Sequence, residues 1–164
     1  MPSWYIHDKW AQRMGIPKEV SEYVNGLIDF PQKCQEFLVF CEEDPDARVY
    51  SKGRPTRVNV GQFVVHDSGR REAFARELQL KFLSQKGNDY VTAWYLHHVL
   101  DYMQWWATAS ADETIYSIEE IFNDRRLEKQ FGTSSDPELR DILHSVANQY
   151  EEISQDLRER GQPK

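Results

Sequence analysis

Apolar side chains recur at a spacing of three or four residues over most of the chain, which is typical of amphipathic α-helices. Turn residues interrupt this pattern over residues 43–62, where a short alternating stretch allows a hairpin. We therefore predict an all-α protein, a single helical-bundle domain over residues 1–160, with a frayed tail at 161–164. The predicted helices span about 9–14, 17–28, 32–42, 69–84, 89–108, 115–127 and 137–158.

The predicted helix over 89–108 lacks a solvated face. One side carries an ordinary apolar stripe, whereas the other carries Trp94, His98, Asp101 and Trp105, with His97 at its edge. Burial of an imidazole and a carboxylate is costly unless they pair or bind a ligand. Three interpretations are open: a binding site, a hydrogen-bonded structural pair, or a protein interface, where aromatic residues are enriched.

A second histidine–carboxylate cluster comes directly after a short apolar run. It contains His66 and Asp67, followed by Gly69 and Arg70. Imidazole and carboxylate groups are ligands for divalent metals, glycine permits close backbone approach, and arginine suits phosphate contacts. Asp67 and Arg70 are therefore candidate catalytic residues, although Asp67 could also cap the following helix.

The segment 63–70, read Phe-Val-Val-His-Asp-Ser-Gly-Arg, resembles the signature of the HD-domain metal-dependent phosphohydrolases. The resemblance implies a helical bundle in which His66 and Asp67 bind a divalent metal ion, such as Mn, Fe, Co, Ni, Zn or Mg. It also implies that His97 or His98, together with Asp101, supplies the later ligands. The residues implied as metal ligands are His66, Asp67, His97, His98 and Asp101.

The family's upstream histidine has no counterpart within residues 32–62, and His7 is the only histidine before His66. Either His7 completes the metal site or the site is incomplete. Trp4, Tyr5 and Trp10 flank His7, which favours packing of this stretch on the body of the protein. The competing prediction for this segment is structural, with Asp8 as the N-cap of a helix beginning at Lys9.

Charge is unevenly distributed along the chain. The net charge is −7, yet residues 46–86 carry nine basic and four acidic side chains. This basic segment contains His66 and Asp67 and suits an anionic ligand such as a phosphate ester, unless its charges simply cover a solvated surface. The acidic remainder argues against bulk nucleic-acid binding.

The charged residues that follow Trp4, Tyr5 and Ile6 lead us to expect no signal peptide, and no apolar run is long enough for a membrane span. Cys34 and Cys41 are expected to be free thiols, so we predict a cytoplasmic protein.

The leading hypothesis is an HD-like metal-dependent phosphohydrolase that acts on a phosphate ester or nucleotide. The alternative is a non-catalytic helical interaction domain, or a homodimer, that uses the face formed by Trp94 and Trp105. A third is a sensor that binds a small ligand without turning it over.

Overall fold

A computed structural model describes residues 3–44, 73–109 and 137–160. This part consists of seven α-helices and one short 3-10 helix and contains no strand, so the prediction of an all-α protein is confirmed. Its buried apolar side chains form a single core cluster. The helices are α1 (Trp4–Arg13), α2 (Lys18–Asp29), the 3-10 helix Pro31–Lys33, α3 (Gln35–Glu43), α4 (Ala73–Ser84), α5 (Asn88–Ala109), α6 (Pro137–Asn148) and α7 (Tyr150–Arg160).

Three predicted helices have different bounds in the structure. The one expected over 32–42 is divided into the 3-10 helix Pro31–Lys33 and α3. The first begins at Trp4 instead of Lys9, which places Asp8 inside the helix and not at its N-cap. The last is divided at Gln149 into α6 and α7. The apolar spacing continues across this break because both helices pack against α5. The proposed hairpin beyond Asp44, the predicted helix over 115–127 and the tail lie outside the described residues.

α5 is the central helix of the bundle. It packs against α1, α2, α4, α6 and α7, and every side chain from Ala93 to Leu100 is buried. This arrangement explains why the sequence of α5 has no solvated face. No described helix combines the length and apolar character that a membrane crossing requires.

Gly15 connects α1 to α2 in a tight helix–helix turn. It has a φ of 82°, and the backbone N–H of Gly15 donates to the carbonyl of Gln12 while that of Ile16 donates to the carbonyl of Ala11. These two bonds form a Schellman motif, in which glycine adopts the left-handed conformation at low cost. The turn brings α2 back alongside α1, and the buried Ile16 anchors it.

α1 is also fixed to the C-terminal helix α7. Asp156 pairs with Lys9 and accepts a hydrogen bond of 3.0 Å from the Trp10 indole, and Arg13 pairs with Glu152. α1 therefore contacts α2, α5 and α7, which holds it against the central helix.

Two glycine-to-alanine substitutions distinguish the effect of backbone conformation on stability from the effect of steric crowding. A Cβ added at Gly15 or at Gly26 would meet no atom within 4 Å. We expect Gly15→Ala to destabilise the protein by about 1 kcal/mol, because alanine strains a positive φ. Gly26→Ala, inside α2, should stabilise it by about 0.5–1 kcal/mol. Urea unfolding of both variants measures this, and shifts of the same sign would contradict the described turn.

The two thiols should differ in reactivity in the native protein. Both cysteines are free, with Cys34 partly buried and Cys41 only 1% exposed. Burial, reinforced by the neighbouring Asp44 carboxylate, raises the pKa of the Cys41 thiol to about 12. We expect iodoacetamide at pH 8 to modify Cys34 and to reach Cys41 only after unfolding. Peptide mass spectrometry gives the two rates, and equal rates would contradict the described packing.

Candidate metal centre

Three potential metal ligands from two helices converge in the core. His7 comes from α1, whereas His97 and Asp101 lie one turn apart on α5. One ligand atom from each of the three residues lies within 4.8 Å of the others. The structure thus brings together the distant N-terminal histidine and one of the two histidines predicted on α5.

The Asp101 carboxylate lies beside the Nε2 edges of both imidazoles. Its Oδ1 is 3.4 Å from Nε2 of His7, and its Oδ2 is 3.5 Å from Nε2 of His97. Two ligand atoms that each lie about 2.0–2.2 Å from one tetrahedral ion are separated by about 3.4 Å. Each nitrogen–oxygen distance is close to this separation, and each is measured to a different oxygen of the carboxylate.

The two imidazole rings are stacked with centroids 4.0 Å apart and an interplanar angle of 14°. Ring nitrogens bind a metal through lone pairs that lie in the ring plane, so nearly parallel rings direct these lone pairs in nearly parallel directions. An ion bound by both histidines consequently requires one ring to tilt. His7 is the ring that lies on a separate helix from Asp101, so it is the one we expect to move.

The site is almost closed to water. The side chains of His7, His97 and Asp101 are 4%, 1% and 11% exposed. Burial lowers the pKa of His97 to about 4, and the charge of His7 acts in the same direction while Asp101 opposes it. His97 is therefore neutral at neutral pH, which is the form of imidazole that binds a metal.

The buried His7 ring supplies a test of whether these residues fit a cation. Neither of its nitrogens has a hydrogen-bond partner among the described residues. A buried polar group without a hydrogen bond costs about 1–3 kcal/mol. A cation bound to one nitrogen would offset part of this cost, so the donor set of two imidazoles and a carboxylate fits a divalent metal ion.

A hydrogen-bonded chain supports His97 from behind. Asn25 Oδ1 lies 2.8 Å from His97 Nδ1, and Asn25 Nδ2 donates to Asp8 Oδ1 at 3.0 Å. The Ser21 hydroxyl donates to the same Asp8 oxygen at 2.6 Å. The prediction that Asp8 caps a helix is therefore wrong, because this carboxylate instead joins α1 to α2 behind the site. Nothing in the local sequence pattern distinguished Ser21 and Asn25 from other residues of an amphipathic helix.

His98 has different surroundings from His97. Successive residues of a helix point about 100° apart, and the His98 ring packs edge-on against Trp94 with centroids 4.2 Å apart. His98 does not belong to the group formed by His7, His97 and Asp101.

The aromatic face of α5 is partly a core feature. Trp94 is fully buried and donates a 2.8 Å hydrogen bond to Gln79 on α4. Trp94 therefore packs inside the bundle. The side chain of Trp105 lies outside the described residues, as do His66, Asp67 and Arg70.

Comparison of the chain with protein-family models, with curated proteins and with solved structures finds no match. The arrangement of the described residues is accordingly the main basis for assigning a function.

The cost of burying His7 can be measured. We expect His7→Phe to leave the free energy of unfolding within about 1 kcal/mol of the original value, because phenylalanine keeps the stacking and removes unsatisfied nitrogens. Leu96→Ala, one residue before His97 and 1% exposed, should by comparison lose about 3 kcal/mol. Metal-free protein in urea unfolding gives both values. An equally large loss for His7→Phe would show that the imidazole itself stabilises the fold.

Proposed function

We propose that this protein is a divalent-metal-dependent hydrolase of phosphate esters whose metal ion is held by His7, His97 and Asp101. The observation that carries the proposal is the convergence of these three ligand atoms within 4.8 Å in a nearly closed part of the core. These three ligands leave coordination positions open for water and substrate, as catalytic metal sites require, and for further protein ligands from segment 63–70.

The residues on α5 are suited to hold an ion firmly. His97 and Asp101 project from one buried helix, and Asn25 fixes the His97 ring from the opposite side. Ligands on rigid elements with hydrogen-bonded support hold a metal more precisely than ligands on loops. Asp101 supplies a negative charge, which imidazole ligands lack.

The choice of a phosphate ester as substrate derives from the sequence. The segment 63–70 resembles the HD-domain phosphohydrolase signature, and it lies in the one basic part of the chain, 46–86. In this proposal His66 and Asp67 are further ligands, and Arg70 neutralises phosphate charge. When bound, a divalent ion lowers the pKa of water to about 7 and polarises a phosphoryl oxygen. Water would form the new P–O bond, the ester P–O bond would break, and the leaving alcohol would take up a proton.

Metal binding tests the first half of the proposal. We expect protein purified without a histidine tag to bind about one ion of Mn, Co or Zn per chain at this site. We also expect the ion at a hundredfold excess over Kd to raise Tm by roughly 5 °C or more. Elemental analysis and thermal unfolding measure both. Absence of binding together with an unchanged Tm would overturn the proposed site.

Matched histidine variants locate the ion. His97→Ala should abolish the metal-dependent rise in Tm, and His7→Phe should weaken it strongly. His144→Ala is the control, because His144 is an exposed histidine on α6 and its loss should leave metal binding unchanged. Equal loss in all three variants would place the ion elsewhere.

Hydrolysis tests the second half. The metal-loaded protein should release nitrophenolate from p-nitrophenyl phosphate or bis(p-nitrophenyl) phosphate, and His97→Ala should lower this rate at least about a hundredfold because metal ligands carry the reaction. A protein that binds the metal at this site but hydrolyses neither these esters nor nucleotides would refute the assignment as a phosphohydrolase and leave the metal site in place.

A further inference from the structure

A buried polar chain connects three helices behind the candidate metal centre. It runs from Asp8 on α1 through Asn25 on α2 to His97 on α5, and Ser21 on α2 joins it at Asp8. Asn25 and His97 are each only 2% exposed, so water has little access to the bond between them, whereas Asp8 is partly buried. The donors and acceptors of the chain can therefore be assigned from its chemistry.

The Asp8 carboxylate determines the orientation of the Asn25 amide. An ionised carboxylate only accepts hydrogen bonds, so the group 3.0 Å from Asp8 Oδ1 must be the amide nitrogen of Asn25. The reversed amide would place its oxygen against a negatively charged oxygen. The Ser21 hydroxyl donates to the same carboxylate oxygen at 2.6 Å, which further fixes its position.

The oriented amide in turn determines where His97 carries its proton. With Asn25 Nδ2 directed to Asp8, Asn25 Oδ1 faces His97 Nδ1 at 2.8 Å. An amide oxygen only accepts, so Nδ1 must carry the hydrogen. A neutral imidazole has one N–H, which leaves the lone pair on Nε2, the nitrogen 3.5 Å from Asp101 Oδ2.

This lone pair is directed at the position that the metal ion would occupy. The Nε2 lone pair of His97 and the Asp101 carboxylate are then two electron-pair donors 3.5 Å apart, an arrangement that suits a cation.

We propose that Asn25, oriented by Asp8, is a positioning residue that holds His97 in the Nδ1–H tautomer with its Nε2 lone pair directed at the metal site. The consequence for metal binding rests on the proposed function, whereas the tautomer itself does not. Removing a hydrogen-bond partner of a metal-binding histidine typically lowers the affinity for the metal by about tenfold to a hundredfold.

The tautomer can be read directly in the metal-free protein. Long-range ¹H–¹⁵N correlation spectra distinguish Nδ1–H, Nε2–H and doubly protonated imidazole, and His97→Gln identifies the signals of this ring. At pH 7.5 we expect the Nδ1–H form. Finding the Nε2–H form or the imidazolium would overturn the inference.

Substitutions separate positioning from a merely structural role. Asn25→Leu removes the acceptor at similar volume and should release His97 from the Nδ1–H form and weaken metal binding about tenfold to a hundredfold. The paired change Asn25→Asp with Asp8→Asn exchanges amide and carboxylate. In this double variant the amide at position 8 donates to the carboxylate at position 25, and the other carboxylate oxygen accepts from His97 Nδ1. We therefore expect it to recover the Nδ1–H tautomer and most of the metal affinity.

The outcomes also distinguish this inference from the proposed function. Metal binding is measured by titration with Co²⁺ or Zn²⁺, and folding by thermal unfolding of the metal-free variants. If the original protein shows the Nδ1–H form but binds no metal, the proposed function fails and the role of Asn25 stands. If the protein binds metal but Asn25→Leu, still folded, changes neither tautomer nor affinity, the role of Asn25 fails and the metal site stands.

Discussion

The burial of α5 is the constraint on which the rest of the structure depends. A central helix packed by five others gives the polar side chains in its middle little access to water. His97 and Asp101 must therefore find partners on the surrounding helices. α2 supplies Asn25 and α1 supplies His7, so the arrangement of the bundle and the composition of the candidate site have one cause.

The hairpin of α1 and α2 meets this constraint with adjacent residues. His7 and Asp8 point about 100° apart on one helix, so His7 contacts α5 while Asp8 bonds to α2. The Schellman turn at Gly15 brings α2 alongside α1 and thereby places Ser21 and Asn25 within reach of Asp8. A single turn of α1 thus contributes both a candidate ligand, His7, and a hydrogen-bonded support for another, His97.

Burying His7, His97 and Asp101 together in the core costs free energy, because ionisable groups lose their hydration. Well-packed apolar residues of similar volume are often as stable as buried ionisable groups, or more stable. Two stacked imidazoles beside a carboxylate are therefore better explained by a ligand than by stability. The neutral state of His97 and the unsatisfied ring of His7 both favour a cation as that ligand.

The sequence by itself determined the helices and showed that one of them, α5, carries polar side chains where a buried helix normally has apolar ones. Apolar spacing predicted α2 and α5 to within a residue or two, and the polar groups on α5 identified that helix as the one that carries candidate ligands. Tertiary structure decided which groups meet. His7 and His97 are ninety positions apart, and the choice between His97 and His98 depends on the rotation of α5 about its axis. Periodicity records which side of a helix is apolar, but it does not record which neighbour that side contacts. For the same reason the role of Asp8 could not be read from its residue type: it is a plausible N-cap, yet it accepts hydrogen bonds from α2 because the turn at Gly15 brings α2 beside it.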